Sequence, residues 1–331
     1  MLRQNKIEES LQNASPALDS SYLSLLKDVE VQPIFIMGDH RSGTTLLYKL
    51  LAATECFNVV TAYHIIKYNE LLFHQINQTE VRSQKELDEH FQFLGLQNRI
   101  IDKVAVTSSL PEEYGFILEN AGKPSHICPE NLGIFIELCK KIQFVSEPNR
   151  DLLLKNPWDF TNFLYIKQAF PQSRFIFLHR QPIHIINSQL KASRSLLKMK
   201  SLYSTLISKQ YNKMYDNPWH LLYQRLLNSV FSSRSLRRAT QDVANALSYF
   251  IESVNSVPNT DYICIKYEEL SQDTETVVLR ILNFLGLEPK SPLSYNTVIE
   301  SRPLRLLPEI EVKYDDLYRE LRSYFDYFGY N

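Results

Sequence analysis

An α/β sandwich with a central parallel sheet flanked by helices is the architecture that this 331-residue sequence predicts. Three observations carry it. Short, uninterrupted apolar runs such as Ile34–Met37, Leu152–Lys155 and Arg174–His179 have the composition of strands covered on both faces. Helix-start signals follow these runs: a Gly43-Thr44-Thr45 turn, Asn156-Pro157 and Gln181-Pro182. Strand and helix signals therefore alternate along the chain, as in parallel sheets.

In chain order, Ser15-Pro16 opens a helix to Lys27, with Leu18, Tyr22, Leu25 and Leu26 on one side. Ile34–Met37 is the first strand, and its helix runs from Thr44 to Ala53. Phe57–Val60 is a second short strand. A mostly helical stretch then reaches Val145, broken near Pro111, Gly122-Lys123-Pro124 and Pro129. After Leu152–Lys155 a helix starts at Pro157, and after Arg174–His179 another runs to about Leu197. Tyr262–Tyr267 is the last strand and Thr274–Leu285 its helix. These elements divide the chain into an N-terminal helical segment, residues 1–30, and one domain, residues 31–331. Helical insertions at about 65–145 and 193–257 interrupt that domain.

The informative stretch is Met37-Gly38-Asp39-His40-Arg41-Ser42-Gly43-Thr44-Thr45-Leu46. A polar turn between a buried strand and a helix N-terminus converges backbone N–H groups on one point, where the helix dipole adds positive charge. Thr44 and Thr45 add hydroxyls and Arg41 a fixed cation, which together make a phosphate cradle. Gly38 and Gly43 have the spacing of the nucleotide-hydrolase loop, but Thr44 stands where that loop has its lysine. The R-S-G-T-T-L-L form resembles the 5′-phosphosulfate loop of sulfotransferases that use 3′-phosphoadenosine 5′-phosphosulfate (PAPS). Arginine at this position is typical of the tyrosylprotein and many bacterial branches.

A second anion site is expected where Arg180 ends its strand and Ser188 follows eight residues later on the next helix. Arginine gives a forked, permanent donor suited to phosphate. The segment Arg174–Ser195 resembles the 3′-phosphate-binding strand and helix of sulfotransferases. Lys155, at a strand end, joins Arg41 and Arg180 on the carboxyl rim of the sheet, where ligands of such sheets sit. Lys266-Tyr267-Glu268-Glu269-Leu270 with Ile281–Leu287, and Pro111-Glu112-Glu113-Tyr114, are similar to further bacterial sulfotransferase segments. The R-K-G-x-x-G-x-W loop of the cytosolic enzymes is missing, and the resemblance passes its 3′-phosphate contact to Arg302 or Arg305. It covers about Pro33 to Leu287 and implies a P-loop-like three-layer fold.

It also implies a donor contacted by Arg41, Ser42, Gly43, Thr44, Thr45, Leu46, Arg180, Ser188, Lys155 and Arg302, with 3′-phosphoadenosine 5′-phosphate (PAP) as product and no metal. Sulfuryl transfer further needs the charge on the departing bridging oxygen stabilised, a catalytic role expected of Arg41 and the loop N–H groups with Thr44 and Thr45. A base for the acceptor hydroxyl or amine is needed as well. Families with the arginine-type loop place a glutamate about where His64 stands, so His64 is the expected base. Glu70, Glu112 and Glu113 are the alternatives, and His126 belongs to the same acceptor region. The tyrosines and tryptophan at Tyr203, Tyr211, Tyr215, Trp219 and Tyr223 either pack helices or form a lid over the acceptor. A P-loop kinase or hydrolase, and a non-catalytic nucleotide-binding interaction protein, remain as rival readings.

Composition narrows the partners. The chain is 44% hydrophobic and 22% charged with a net charge of −1, which gives no overall bias toward nucleic acid. Between Arg180 and Thr240, however, eleven Lys or Arg face one acid, Asp216, so cationic potential concentrates beside the second anion site. Four scattered cysteines without C-x-x-C spacing predict neither a disulfide framework nor a zinc site. The polar stretch before Glu30 has no apolar run of signal-peptide length, and no run of membrane-span length follows. A soluble cytoplasmic enzyme acting on a small-molecule or glycan acceptor, without stable membrane insertion, is the expectation. Neither the acceptor nor the oligomeric state is legible.

Overall fold

The computed structural model describes residues 18–99, 105–229, 233–290 and 305–330. Five parallel strands form its centre: β1 (Ile34–Met37), β2 (Phe57–Val59), β3 (Asp151–Lys155), β4 (Arg174–His179) and β5 (Tyr262–Lys266), in spatial order β2-β3-β1-β4-β5. Strand alternation sorts their side chains onto two faces. Phe35, Met37, Leu152, Leu154, Phe175 and Phe177 enter one core, while Ile34, Ile36, Leu153, Ile176, Leu178 and Ile265 enter the other. Helices cover both, so the expected three-layer α/β sandwich is present.

The second face is covered by α1 (Thr44–Ala53), which follows β1, and by a helix at Thr274–Leu285 after β5. The first face is broader and aromatic. Phe35 stacks on Phe135 and Phe175 at centroid distances of 6.2 and 5.8 Å, and Phe163 and Phe250 extend the stack over Phe177. Its cover includes Leu132–Val145, then α2 (Pro182–Lys198), and a long helix at Ser233–Ser253. C-terminal helices between Pro308 and Phe328 close it with Ile310, Leu317, Tyr324 and Phe325. No strand run or anion motif in the sequence accompanies these last helices.

The expected strands and principal helices stand within a residue or two of their anticipated bounds. Two elements differ in kind. Residues Leu18–Leu26 form a 3₁₀ rather than an α-helix, and Leu18, Leu23 and Leu25 are exposed while Leu26 is buried. The segment is anchored through buried Asp19, which lies 3.0 Å from Lys141 Nζ and accepts from the Phe73 N–H. A buried, paired carboxylate thus replaces part of the expected apolar stripe; the start at Ser15 lies outside the described residues. Pro157–Asn162 is likewise a 3₁₀ turn before the α-helix Phe163–Ala169.

Strand order decides where a ligand can sit. The chain leaves β1 toward the β2 edge and leaves β4 toward the β5 edge, although β1 and β4 are neighbours. A crevice therefore opens beyond their carboxyl ends, at the topological switch point. The turns there are residues 38–43 and 180–181.

Candidate active site

The first turn is built by local geometry before any ligand is considered. Arg41 and Gly43 have φ of 72° and 104°, both left-handed, which folds residues 38–43 into a tight loop closed by the Ser42 N–H on the Asp39 carbonyl at 3.1 Å. Gly43 caps α1 with no side-chain hydrogen bond. Of the first-turn N–H groups, Leu46 turns back to the Gly43 carbonyl, and those of Thr44 and Thr45 lie at the helix start, where a helix has no carbonyl of its own to offer them. No side chain fits at Gly43: a Cβ would stand 2.4 Å from the Tyr267 ring. Gly43→Ala should cost about 2–3 kcal/mol through strain and overlap, seen as a fall of several degrees in melting temperature.

The second turn meets the first. Arg41 Nε donates to Ser188 Oγ at 3.1 Å, and Arg180 Nη1 donates to the Arg41 carbonyl at 3.1 Å. Gln189, next along α2, donates to the His40 carbonyl at 3.0 Å. Residues separated by about 140 positions thus share one rim. Tyr267 lies beneath both turns, packing under the Arg180 guanidinium at 4.3 Å from its centroid as well as against Gly43. Glu268 fixes the second turn, accepting from the Gln181 N–H at 3.1 Å and from Tyr330 Oη at 3.2 Å. The Tyr267-Glu268 pair carried no functional signal in the sequence beyond family likeness; its place after the last strand was the available clue.

Four buried side-chain atoms of these two turns lack a hydrogen-bond partner among the described residues: the acceptors Asp39 Oδ2 and Gln181 Oε1, and two donors. Ser42 Oγ is fully buried within the loop, and Arg180 Nε is buried beside it in the second turn. Buried donors without acceptors cost free energy unless a ligand completes them. An anion is a ligand that could accept from both of these donors. Thr44 is buried and Thr45 half-buried in the first turn of α1, while Leu46 donates its N–H to the Gly43 carbonyl at 3.0 Å. Arg302 lies outside the described residues. Arg305 is exposed, and its carbonyl accepts from Asn187 of α2 at 3.1 Å.

Lys155 ends β3 with its ammonium fully buried, donating to Thr45 Oγ1 at 3.3 Å and to Glu113 Oε1 at 2.5 Å. Burial alone would raise the Glu113 carboxyl, but Lys155 beside it and Arg99 beyond hold it below its ordinary 4.5. Glu113 is therefore an anion at neutral pH, and its side chain is 17% exposed. His40, edge-on to Trp158 at 5.0 Å, is pushed below its ordinary 6.5 by burial, with Lys155 and Arg41 adding to that shift against Glu113. Trp158 thus packs between His40 and Phe116.

The other candidate bases are placed differently. His64 is buried and caps a short helix, Ala62–Ile66: its Nδ1 accepts the Thr61 N–H at 3.1 Å, and Thr61 Oγ1 accepts the His64 N–H. Burial lowers its pKa to about 4. It lines a shallow pocket with Glu80, Ser109, Glu147 and Arg150, a lining that includes neither Arg41 nor Lys155. Glu112 is fully buried and bound to Arg99 and Tyr203 Oη at 2.6 and 2.7 Å. Glu70 pairs with Lys67 and His74. His126 contributes its carbonyl to Asn131. Tyr203 is thereby a core residue, whereas Trp219 and Tyr223 are exposed.

Asp39 gives the loop a titration of its own. Burial raises its carboxyl to about 7, against an opposing hydrogen bond from the His40 N–H at 2.6 Å. The unfolded chain ionises near 3.8, so between that pH and about 7 the folded state holds the extra proton. Stability consequently falls as pH rises through this window. Asp39→Asn should raise the melting temperature more at pH 8 than at pH 5, as read by scanning calorimetry.

A five-stranded parallel sheet between helical layers, with polar turns at its switch point, defines the class of protein as a three-layer α/β sandwich. The chain belongs to the sulfotransferase family, whose model matches residues 33–291. Among curated relatives, the omega-hydroxy-beta-dihydromenaquinone-9 sulfotransferases Stf3 of Mycobacterium bovis and Mycobacterium tuberculosis are each 22% identical over 278 residues. That alignment takes in 77% of this chain and 63% of theirs, so the chain spans less than two thirds of the relatives' length. Solved structures of sulfotransferase STF9 from Mycobacterium avium and STF1 from Mycobacterium tuberculosis share the fold, with TM-scores of 0.63 and 0.58. Their sequence identities are 16% and 14%; the matches cover 97% and 95% of this chain and 89% and 81% of theirs.

Proposed function

We propose that this chain transfers a sulfuryl group from PAPS to a hydroxyl of a small-molecule acceptor. The observation that carries the reading is the meeting of the two turns, through Arg41 to Ser188 and Arg180 to the Arg41 carbonyl. A nucleotide with a 5′-phosphosulfate and a 3′-phosphate needs two cationic grips a short distance apart, and these turns have that disposition. The loop N–H groups, Ser42, Thr44, Thr45 and Lys155 would take the phosphosulfate end. Arg41, Ser188 and Arg180 would hold the 3′-phosphate side, with Arg41 reaching toward both.

Transfer breaks the sulfur–oxygen bond to the 5′-phosphate, leaving the electron pair on that phosphate oxygen, and forms a bond from the acceptor oxygen to sulfur. Charge grows on the departing oxygen, where Arg41, Lys155 and the helix N-terminus would stabilise it. The acceptor proton goes to a base. We assign that role to Glu113 in place of His64, because Glu113 is ionised, partly exposed and bonded to the same lysine as Thr45. Glu112 and Tyr203 hold the segment that carries it.

A nucleotide kinase reading fits less well, since Thr44 replaces the loop lysine that would meet outer phosphates. The test is direct: adenosine 3′,5′-bisphosphate should bind at least tenfold more tightly than ATP. Sulfate from labelled PAPS should then appear in an acceptor detected by mass spectrometry. Equal ATP affinity would favour the kinase, and nucleotide binding without transfer to any screened acceptor would favour a non-catalytic partner protein.

A further inference from the structure

An amphipathic helix on the insertion after α2 has its apolar side turned to solvent. This is α3 (Pro218–Leu227), one of several short helices there. Trp219, Leu222, Tyr223 and Leu226 recur at i, i+3, i+4 and i+7 and are 81%, 47%, 56% and 62% exposed. Such spacing normally marks the stripe a helix buries. Here Leu221, on the opposite side, is the buried residue, and Arg225 ties the helix down by donating to the Leu197 carbonyl at 2.7 Å. The helix is therefore fixed with its apolar face outward.

The surroundings say what would cover that face. Arg225 reaches the carbonyl immediately before Lys198-Met199-Lys200, where both lysines are exposed and Met199 is 55% exposed. The preceding helix, with Lys209 and Lys213 exposed, packs against the same end of α2 through Tyr215 and the Leu196 carbonyl. Asp216 is the only acid between residues 191 and 240. A second copy docked through a two-fold axis would set these cations against their own counterparts, which costs binding energy. An anionic lipid surface satisfies both features. Leucine side chains enter the acyl boundary, Trp and Tyr suit the headgroup level, and flanking Lys and Arg meet lipid phosphates.

We propose that α3, with Met199 and the surrounding basic residues, is a peripheral docking site for an anionic membrane surface. Ser188 lies about 9 Å along the α2 axis from Arg194, whose Nε donates to the Asn228 carbonyl just beyond α3. The docking face is thus coupled to the same helix that carries one wall of the crevice. It lies parallel to a membrane and does not span it; among the described residues no helix is long and apolar enough to cross one.

The test is flotation of the full chain with vesicles of phosphatidylcholine alone or of equal parts phosphatidylcholine and phosphatidylserine. The wild type should partition at least tenfold more strongly onto the anionic vesicles, with that advantage shrinking at high salt. Trp219→Ser combined with Leu226→Ser should lose at least tenfold of this binding, and Lys198→Glu about fivefold or more, with nucleotide binding unchanged. These positions are exposed, so an unaltered melting temperature confirms that the fold is kept. Equal partition onto both vesicle types would overturn the proposal, as would variants that float like the wild type. So would a concentration-dependent dimer that Leu222→Glu dissolves, which would assign the face to a second copy.

Discussion

Arg41→Ala is expected to lower the rate of sulfuryl transfer about a thousandfold while leaving a folded protein. The arginine holds a left-handed turn, and its Nε is bonded to Ser188 on the facing helix. Removing it takes a fixed cation from a largely buried crevice, where a single aimed donor is worth about 10²–10³ in turnover. It also unties the loop from α2, so affinity for adenosine 3′,5′-bisphosphate should fall with it. Arg41→Lys keeps the charge but not the planar fork, and should recover only part of the loss. Steady-state transfer from labelled PAPS, beside nucleotide titration and a melting curve, separates these contributions. Near-normal turnover in Arg41→Ala would remove the residue from the mechanism.

The second large effect concerns the base. Glu113→Gln keeps shape and a hydrogen bond toward Lys155 but cannot take a proton, and turnover should fall about 10²–10⁴-fold. His64→Ala should leave turnover within a few-fold and instead lower stability by about 1 kcal/mol, since it breaks a capping box. The pH profile follows from the same environment. Glu113 titrates below its ordinary 4.5, so its basic form persists as pH falls and is lost only on crossing that depressed value. Activity should therefore show no acid limb near pH 6–7 from the base. A large kcat loss in His64→Ala with a healthy Glu113→Gln would reverse the assignment.

These expectations depend on how a buried lysine is arranged. Lys155 lies between Thr45 of the cradle and Glu113 of the acceptor-side segment, and its ammonium is fully buried. Alone, a buried ammonium would be costly; the ion pair with Glu113 offsets that cost. In Glu113→Gln the lysine loses its counter-charge, so part of any stability loss in that variant arises from the orphaned cation. Comparing the melting temperature of Glu113→Gln with that of the double change Glu113→Gln and Lys155→Met isolates this stability cost.

Much of this was readable from local pattern. Apolar runs on both faces of a strand, glycine at a left-handed turn and proline at a helix start are short-range physics, and they marked all five strands and the helices that follow them. The same locality marked Arg41 and Arg180, because a polar turn after a buried strand has few other places to put its side chain. Tertiary structure alone decided which of these turns are neighbours. The order β2-β3-β1-β4-β5 puts β4 against β1, and that pairing brings Ser188 to Arg41 and Tyr267 beneath both turns. It also separated the candidate bases: His64 and Glu113 both follow the second strand in sequence, yet only Glu113 is bonded to the cation at the end of β3. Charge and hydrogen-bond chemistry act over a few ångströms of space, whereas sequence reports distance along the chain, and a parallel sheet with crossovers makes the two nearly independent.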